Sequence, residues 1–169
     1  MLASVEAATG RRLPVNFSAT LAAATLARLR AEVRAMPHAV HALTWLRGPK
    51  CVASSSPPDR VRASLEITGL AKFFNFVFSA SNVRNGKPAP DLFLHAASRM
   101  GVLAVDCIVV EDSPAGVAAA TAAGMAALGF VGGSHAAAQL GEQLTLAGAR
   151  TIVADLRHLK SAVVALRGW

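Results

Sequence analysis

The sequence predicts an α/β fold, a parallel sheet with helices on both faces, and three features carry that expectation. Short apolar runs that read as strands covered on both sides alternate along the chain with longer segments of helical pattern. The strands run into hydroxyls, prolines or glycines, which cap the next helix or turn the chain. Two adjacent carboxylates, Glu111 and Asp112, close one apolar run and stand just ahead of a Ser-Pro helix start. In open α/β sheets that strand end lines the crevice where ligands bind.

Taken in order, residues 19–33 have a helical pattern, with Leu21, Leu26 and Leu29 near one face and Arg28, Arg30 and Arg34 toward others. Pro37 punctuates the chain, and Val40, Leu43, Trp45 and Leu46 predict a second helix that packs on the sheet. A short strand follows Lys50 and runs into Ser54, Ser55 and Ser56, after which Pro57 and Pro58 open a helix over 59–68. Residues 76–79 read as strand, 90–100 as helix, 107–111 as strand and 114–123 as a helix ended by Gly124. Strands at 126–130 and 151–153 and helices at 136–147 and 156–166 complete the alternation.

Composition narrows the classes. A chain of 169 residues, 53% hydrophobic, fits about one domain and part of another. No uninterrupted apolar run approaches the roughly 18 residues of a membrane span, so no membrane partner is expected. The first ten residues include Glu6 and lack a basic start with a long apolar core, which argues against a secretory signal. Cys51 and Cys107 open two predicted strands without metal-type spacing, and read as reduced core residues of a cytoplasmic protein. The net charge of +7 invites a nucleic-acid reading, yet the arginines are scattered, aromatics make up 5% and there is no tyrosine to stack on bases. No nucleic-acid partner is expected. His38, His41, His95, His135 and His158 show no metal spacing, and the glycines of 129–134 fit neither the dinucleotide fingerprint nor the P-loop.

Three loops hold the candidate chemistry. Adjacent carboxylates repel and are costly to desolvate, so a cation beside Glu111 and Asp112 relieves both, and carboxylate oxygens suit Mg²⁺. The bland alternative is a pair of solvated loop acids, with Asp112 and Ser113 acting as a helix cap. Ser54 ends a strand ahead of a helix amino terminus, where unpaired amides and the helix dipole favour an anion; equally, Ser54 to Ser56 serve as turn residues. Lys87 stands before Pro88, in a tight loop that disfavours helix and fixes the backbone of a point cation suited to a phosphoryl group. An ordinary solvated lysine is the alternative.

In this order the segments resemble the haloacid dehalogenase-like superfamily, within it the phosphatase and β-phosphoglucomutase-like group. Val52-Ala53-Ser54 is similar to its second motif, Gly86-Lys87-Pro88-Ala89-Pro90-Asp91 to its third, and Val110-Glu111-Asp112-Ser113 through Gly116 to its fourth. The resemblance implies a Rossmann-like core over 36–169 and the remnant of a helical cap over 1–35. It implies phosphate binding by Ser54 and Lys87, catalytic charge neutralisation by Lys87, and Mg²⁺ ligation by Asp112 with Glu111 assisting. The ligand it implies is a small phosphorylated metabolite.

One departure stands out. Relatives start with Asp-x-Asp-Gly-Thr, whose first Asp attacks phosphorus, whereas Asp59, Asp91, Asp106, Asp112 and Asp155 include no two separated by one residue. The expectation is therefore an amino-terminally truncated, Mg²⁺-dependent phosphatase or phosphomutase, inactive alone, with a non-catalytic binding or assembly protein as the alternative. The resemblance further implies that the first, central strand is missing between the strands ending at Ser54 and Glu111. Unpaired edges there would invite strand exchange or a homo-oligomer.

Overall fold

A computed structural model describes residues 2–134 and 136–167. The chain divides after Val33 into two compact units. The first holds α1 (Leu2–Thr9) and α2 (Phe17–Glu32). α2 covers the expected helix, begins two residues earlier, and stops where Val33 turns extended while its N–H still bonds Leu29 O. None of its residues is buried, so Leu21, Leu26 and Leu29 form no enclosed stripe. Its i,i+4 pair Arg28–Glu32, at 2.8 Å, is solvent-exposed and of the kind that contributes only about 0.3–0.5 kcal/mol.

The second unit carries the alternating elements: α3 (Ala39–Trp45), β1 (Cys51–Ser54), α4 (Pro58–Ile67), β2 (Phe76–Ser79), α5 (Asp91–Met100), β3 (Ile108–Glu111), α6 (Pro114–Ala122), β4 (Ala126–Phe130), α7 (Leu140–Leu146), β5 (Thr151–Val153) and α8 (Leu159–Arg167). Every strand pair is parallel. The strands form two sheets, β1-β2 and β3-β4-β5, in place of one continuous sheet. Among the described residues β1 and β3 therefore each have a single strand neighbour, β2 and β4 respectively.

Packing explains why the two sheets still make one body. Successive residues of β4 point to opposite faces, so Ala127 enters a cluster with Phe93, Val117 and Leu144, while Leu128 enters another with Ala42 and Leu159. Helices α5, α6 and α7 thus cover one face of the three-stranded sheet, and α3 and α8 cover the other. α5 also presents Leu92 and Ala96 to Phe78 of β2, and Ala53 of β1 packs against both clusters that α5 joins. This shared helix brings the carboxyl ends of β1 and β3 to the same side of the fold.

Local chemistry accounts for the departures from expectation. α3 buries Ala39 and Ala42, with Leu46 alongside, whereas Val40 is half exposed at 50%. α7 starts at Leu140 and not at 136, because the chain first closes turns in which Ala136 N bonds Gly133 O and Leu140 N bonds Ala137 O. The stretch 156–166 is split: the Asp155 carboxylate accepts from Arg157 N and tightens Leu156–His158 into a 3₁₀ turn before α8. Gly132 is close-packed, since a Cβ there would meet Phe130 Cζ at 2.6 Å and the Ala154 carbonyl nearer still. Cys51 and Cys107 are half-buried thiols outside any disulfide. Burial first, and the Cys107 sulfur second, push the Cys51 thiol up to about 11, which keeps it protonated and unreactive near neutrality.

Candidate functional site

Ser54 ends β1, Glu111 ends β3, and Asp112 and Ser113 lead into α6. Their side chains and Lys87 line one open cleft of about 310 Å³, together with Val52, Ala53, Ser55 and Ser56. All four residues singled out from the sequence, Ser54, Lys87, Glu111 and Asp112, thus meet in one place. The amino termini of α4 and α6 flank it, and each brings the positive end of a helix dipole.

The loop carrying Lys87 is built to hold the ammonium still. Asp91 Oδ1 accepts from Asn85 Nδ2 at 3.0 Å and from Asn85 N at 3.3 Å, closing the loop on itself. Lys87 Nζ donates to Ala53 O at 3.1 Å and to Glu111 Oε1, and lies 4.9 Å from the centroid of the buried Phe93 ring. Lys87 and Glu111 side chains are each only 9% exposed. The alternative of a solvated lysine is thereby overturned: burial between a carbonyl, a carboxylate and an aromatic face is what a fixed charge requires.

Glu111 is equally committed. Its Oε2 accepts the Ser113 hydroxyl at 3.0 Å, and Ser113 Oγ in turn accepts from Gly116 N at 3.1 Å as the cap of α6. Asp112 is exposed at the cleft. Ser54 Oγ accepts from Ser56 N at 3.1 Å, which curls the loop after β1 toward the start of α4.

Sequence reasoning missed the groups that fix these loops. Ser79, 1% exposed at the end of β2, donates to Ser56 O at 2.8 Å and so ties the Ser54–Ser56 turn to the neighbouring strand. Its own N–H goes to Asn82 Oδ1 at 2.8 Å. The only signal was a serine closing an aromatic strand. Phe93 carried no signal beyond helical periodicity.

Within the cleft Lys87 is matched by Glu111, and Asp112 stands exposed among the lining residues. Mg²⁺ is normally held by one or two carboxylates, with waters and phosphate oxygens completing its octahedron. Among the described residues no cluster of three His, Cys, Asp or Glu forms a closed metal cage; Asp112 at an open cleft fits the partial set that Mg²⁺ uses. Among the described residues His38, His41, His95 and His158 are not part of the cleft lining, and His135 lies outside the described residues. The Asp155 carboxylate, held down at about 2 first by the Arg157 side chain, lies outside this cleft and serves as a cap. Among the described residues no helix is long and apolar enough to cross a membrane.

Comparison with known proteins gives a consistent result. A model of the haloacid dehalogenase-like hydrolases matches residues 4–124. The chain is 44% identical over 82 residues to the fructose-1-phosphate phosphatase YqaB of Escherichia coli, covering 48% of this chain and 44% of that one. A haloacid dehalogenase-like protein of Agrobacterium tumefaciens superposes with a TM-score of 0.82 at 32% identity, over 98% of this chain and 76% of that one. A hydrolase of the same family from Deinococcus radiodurans, solved with bound phosphate and sodium, gives 0.77 at 29% identity, over 97% and 73%. The chain spans about half the length, or less, of the curated relatives it matches. With the family model extending over more than half of its residues and the α/β architecture in agreement, the chain belongs to the haloacid dehalogenase-like hydrolases.

Proposed function

We propose that the cleft binds a small phosphomonoester together with Mg²⁺, in the manner of a phosphatase or phosphomutase of the family. The observation that carries this reading is the Lys87 ammonium, locked between Ala53 O and Glu111 where Ser54 and Asp112 also face the opening. In this reading Ser54 donates to a phosphate oxygen, Lys87 neutralises it, and Asp112 holds the metal, with Glu111 assisting through its charge. Bound Mg²⁺ would supply Lewis-acid stabilisation of the phosphoryl oxygens. A phosphorylated sugar or polyol is the ligand class, supported by the likeness to a fructose-1-phosphate phosphatase.

Covalent phosphoryl transfer needs an in-line nucleophile. The cleft-lining residues supply one carboxylate at the opening and no Asp-x-Asp pair, so we infer that residues 1–169 bind the ester without turning it over. In this reading the metal held by Asp112 also meets the phosphate oxygens, so anion and cation bind together and by linkage each strengthens the other. Calorimetric titration is expected to give phosphate binding at least about tenfold tighter with Mg²⁺ than without, and Asp112→Ala is expected to erase that difference. Equal affinity with and without Mg²⁺ would sink the reading. Mg²⁺-dependent hydrolysis of a general phosphatase substrate, lost in Asp112→Ala, would replace the binding-only reading by an enzymatic one.

A second reading is favoured by the strand edges. Among the described residues β1 and β3 each have one strand neighbour, and Val110 of β3 is 41% exposed, so assembly through these edges is the rival function. Phosphate binding absent at all Mg²⁺ concentrations, with concentration-dependent sedimentation, would favour it.

A further inference from the structure

Gly116 lies in the first turn of α6 without a positive φ, so backbone freedom does not explain glycine at this position. Within a helix glycine is a poorer choice than alanine. What does explain it is space. A Cβ at 116 would stand 2.6 Å from Glu111 Oε1 and nearer still to Cδ and Oε2. Any other residue would evict the carboxylate.

That carboxylate is 8% exposed as a residue and has both oxygens engaged, one by Lys87 and the other by the Ser113 hydroxyl. The Ser113 hydroxyl also receives Gly116 N, so the turn that makes room for the carboxylate is the same turn that steadies it. We propose that Gly116 and Glu111 are positioning residues for Lys87. Glycine opens a seat on the first turn of α6, the Glu111 carboxylate fills it, and the ammonium is thereby fixed against Ala53 O and over Phe93. The purpose of the device rests on the phosphate-site reading; its geometry does not. The device assigns Glu111 to the lysine first.

The test is acylation of lysines by acetic anhydride, followed residue by residue by mass spectrometry in the full chain. Lys72 and Lys160, both exposed, serve as internal references. A buried, charge-paired Lys87 is expected to react at least about tenfold more slowly than either. Gly116→Ala is expected to raise the Lys87 rate about five- to tenfold with the reference rates unchanged. Adding Glu111→Asp, whose shorter side chain withdraws the carboxylate from the new methyl group, is expected to bring the rate back to within about twofold of the parent, since the lysine stem can follow. Glu111→Gln, which adds no bulk, is expected to raise it as well, and decides the matter if Gly116→Ala does not fold.

An unchanged Lys87 rate in Gly116→Ala, a failure of Glu111→Asp to restore it, or an unchanged rate in Glu111→Gln would overturn the proposal. Phosphate and Mg²⁺ titrations on the same preparations separate the two questions. Absent phosphate binding with Lys87 rates that follow the predicted order removes the ligand reading and keeps the device; normal binding with rates that ignore the substitutions does the reverse.

Discussion

Lys87→Met is expected to destabilise the chain by about 3–5 kcal/mol, the range for removing one partner of a buried ion pair. The reason is what remains behind. Glu111, 9% exposed in its side chain, keeps the Ser113 hydroxyl but loses the ammonium on its other oxygen. For a chain of this size each kcal/mol lowers the melting temperature by about 2–4 °C, so a fall of roughly 6–20 °C is anticipated. Neutralising both partners in Lys87→Met/Glu111→Gln should recover most of the loss, because the cost lies in the orphaned charge. Urea unfolding of the four proteins closes the cycle. A loss below about 1 kcal/mol in Lys87→Met would mean that the pair is effectively solvated.

Leu128→Ala should be comparably severe, at about 2–5 kcal/mol, because Leu128 is fully buried in the middle strand of the three-stranded sheet. It packs between Ala42 of α3 and Leu159 of α8, and its truncation leaves a cavity between them. Leu146→Ala is the matched control. Leu146 is 82% exposed, and its truncation should cost no more than about 0.5 kcal/mol. Equal effects at the two positions would show that α3 and α8 are not docked on β4.

Much of the fold was legible because strand ends and helix starts carry chemical punctuation. Phe76–Ser79, Ala126–Phe130 and Thr151–Val153 have the bounds read from the sequence, each being a short, mainly apolar run with polar or glycine residues within two positions of its end. The α6 start was equally clear, since Ser113 and Pro114 are the cap and first residue their chemistry predicts. The misplaced start of α7 has a different origin. Ala136 and Ala137 favour helix by propensity, but turn hydrogen bonds after Gly132-Gly133 claim their backbone first.

The site was legible at the level of residue types and not of partners. Ser54, Lys87, Glu111 and Asp112 stand out because hydroxyl, ammonium and paired acids occupy strand ends and a proline-braced loop. That Lys87 and Glu111, 24 residues apart, hold each other is a tertiary fact. So is Ser79, whose side chain reaches back 23 residues to Ser56 O. Gly116 is the extreme case: in the sequence it is one more small residue in an alanine-rich helix, and only the carboxylate pressed against it gives it meaning.

In the proposed function the turn after β1, the Lys87 loop and the start of α6 together form one phosphate and Mg²⁺ site. Backbone amide NMR of the chain, titrated with inorganic phosphate in the presence of Mg²⁺, tests it most directly. The predicted result is a saturable set of shifts confined to Ser54, Ser55 and Ser56, to Lys87 and Ala89, and to Asp112 and Ser113, all following one binding curve. Shifts centred elsewhere, or a response from only one of these three segments, would contradict it.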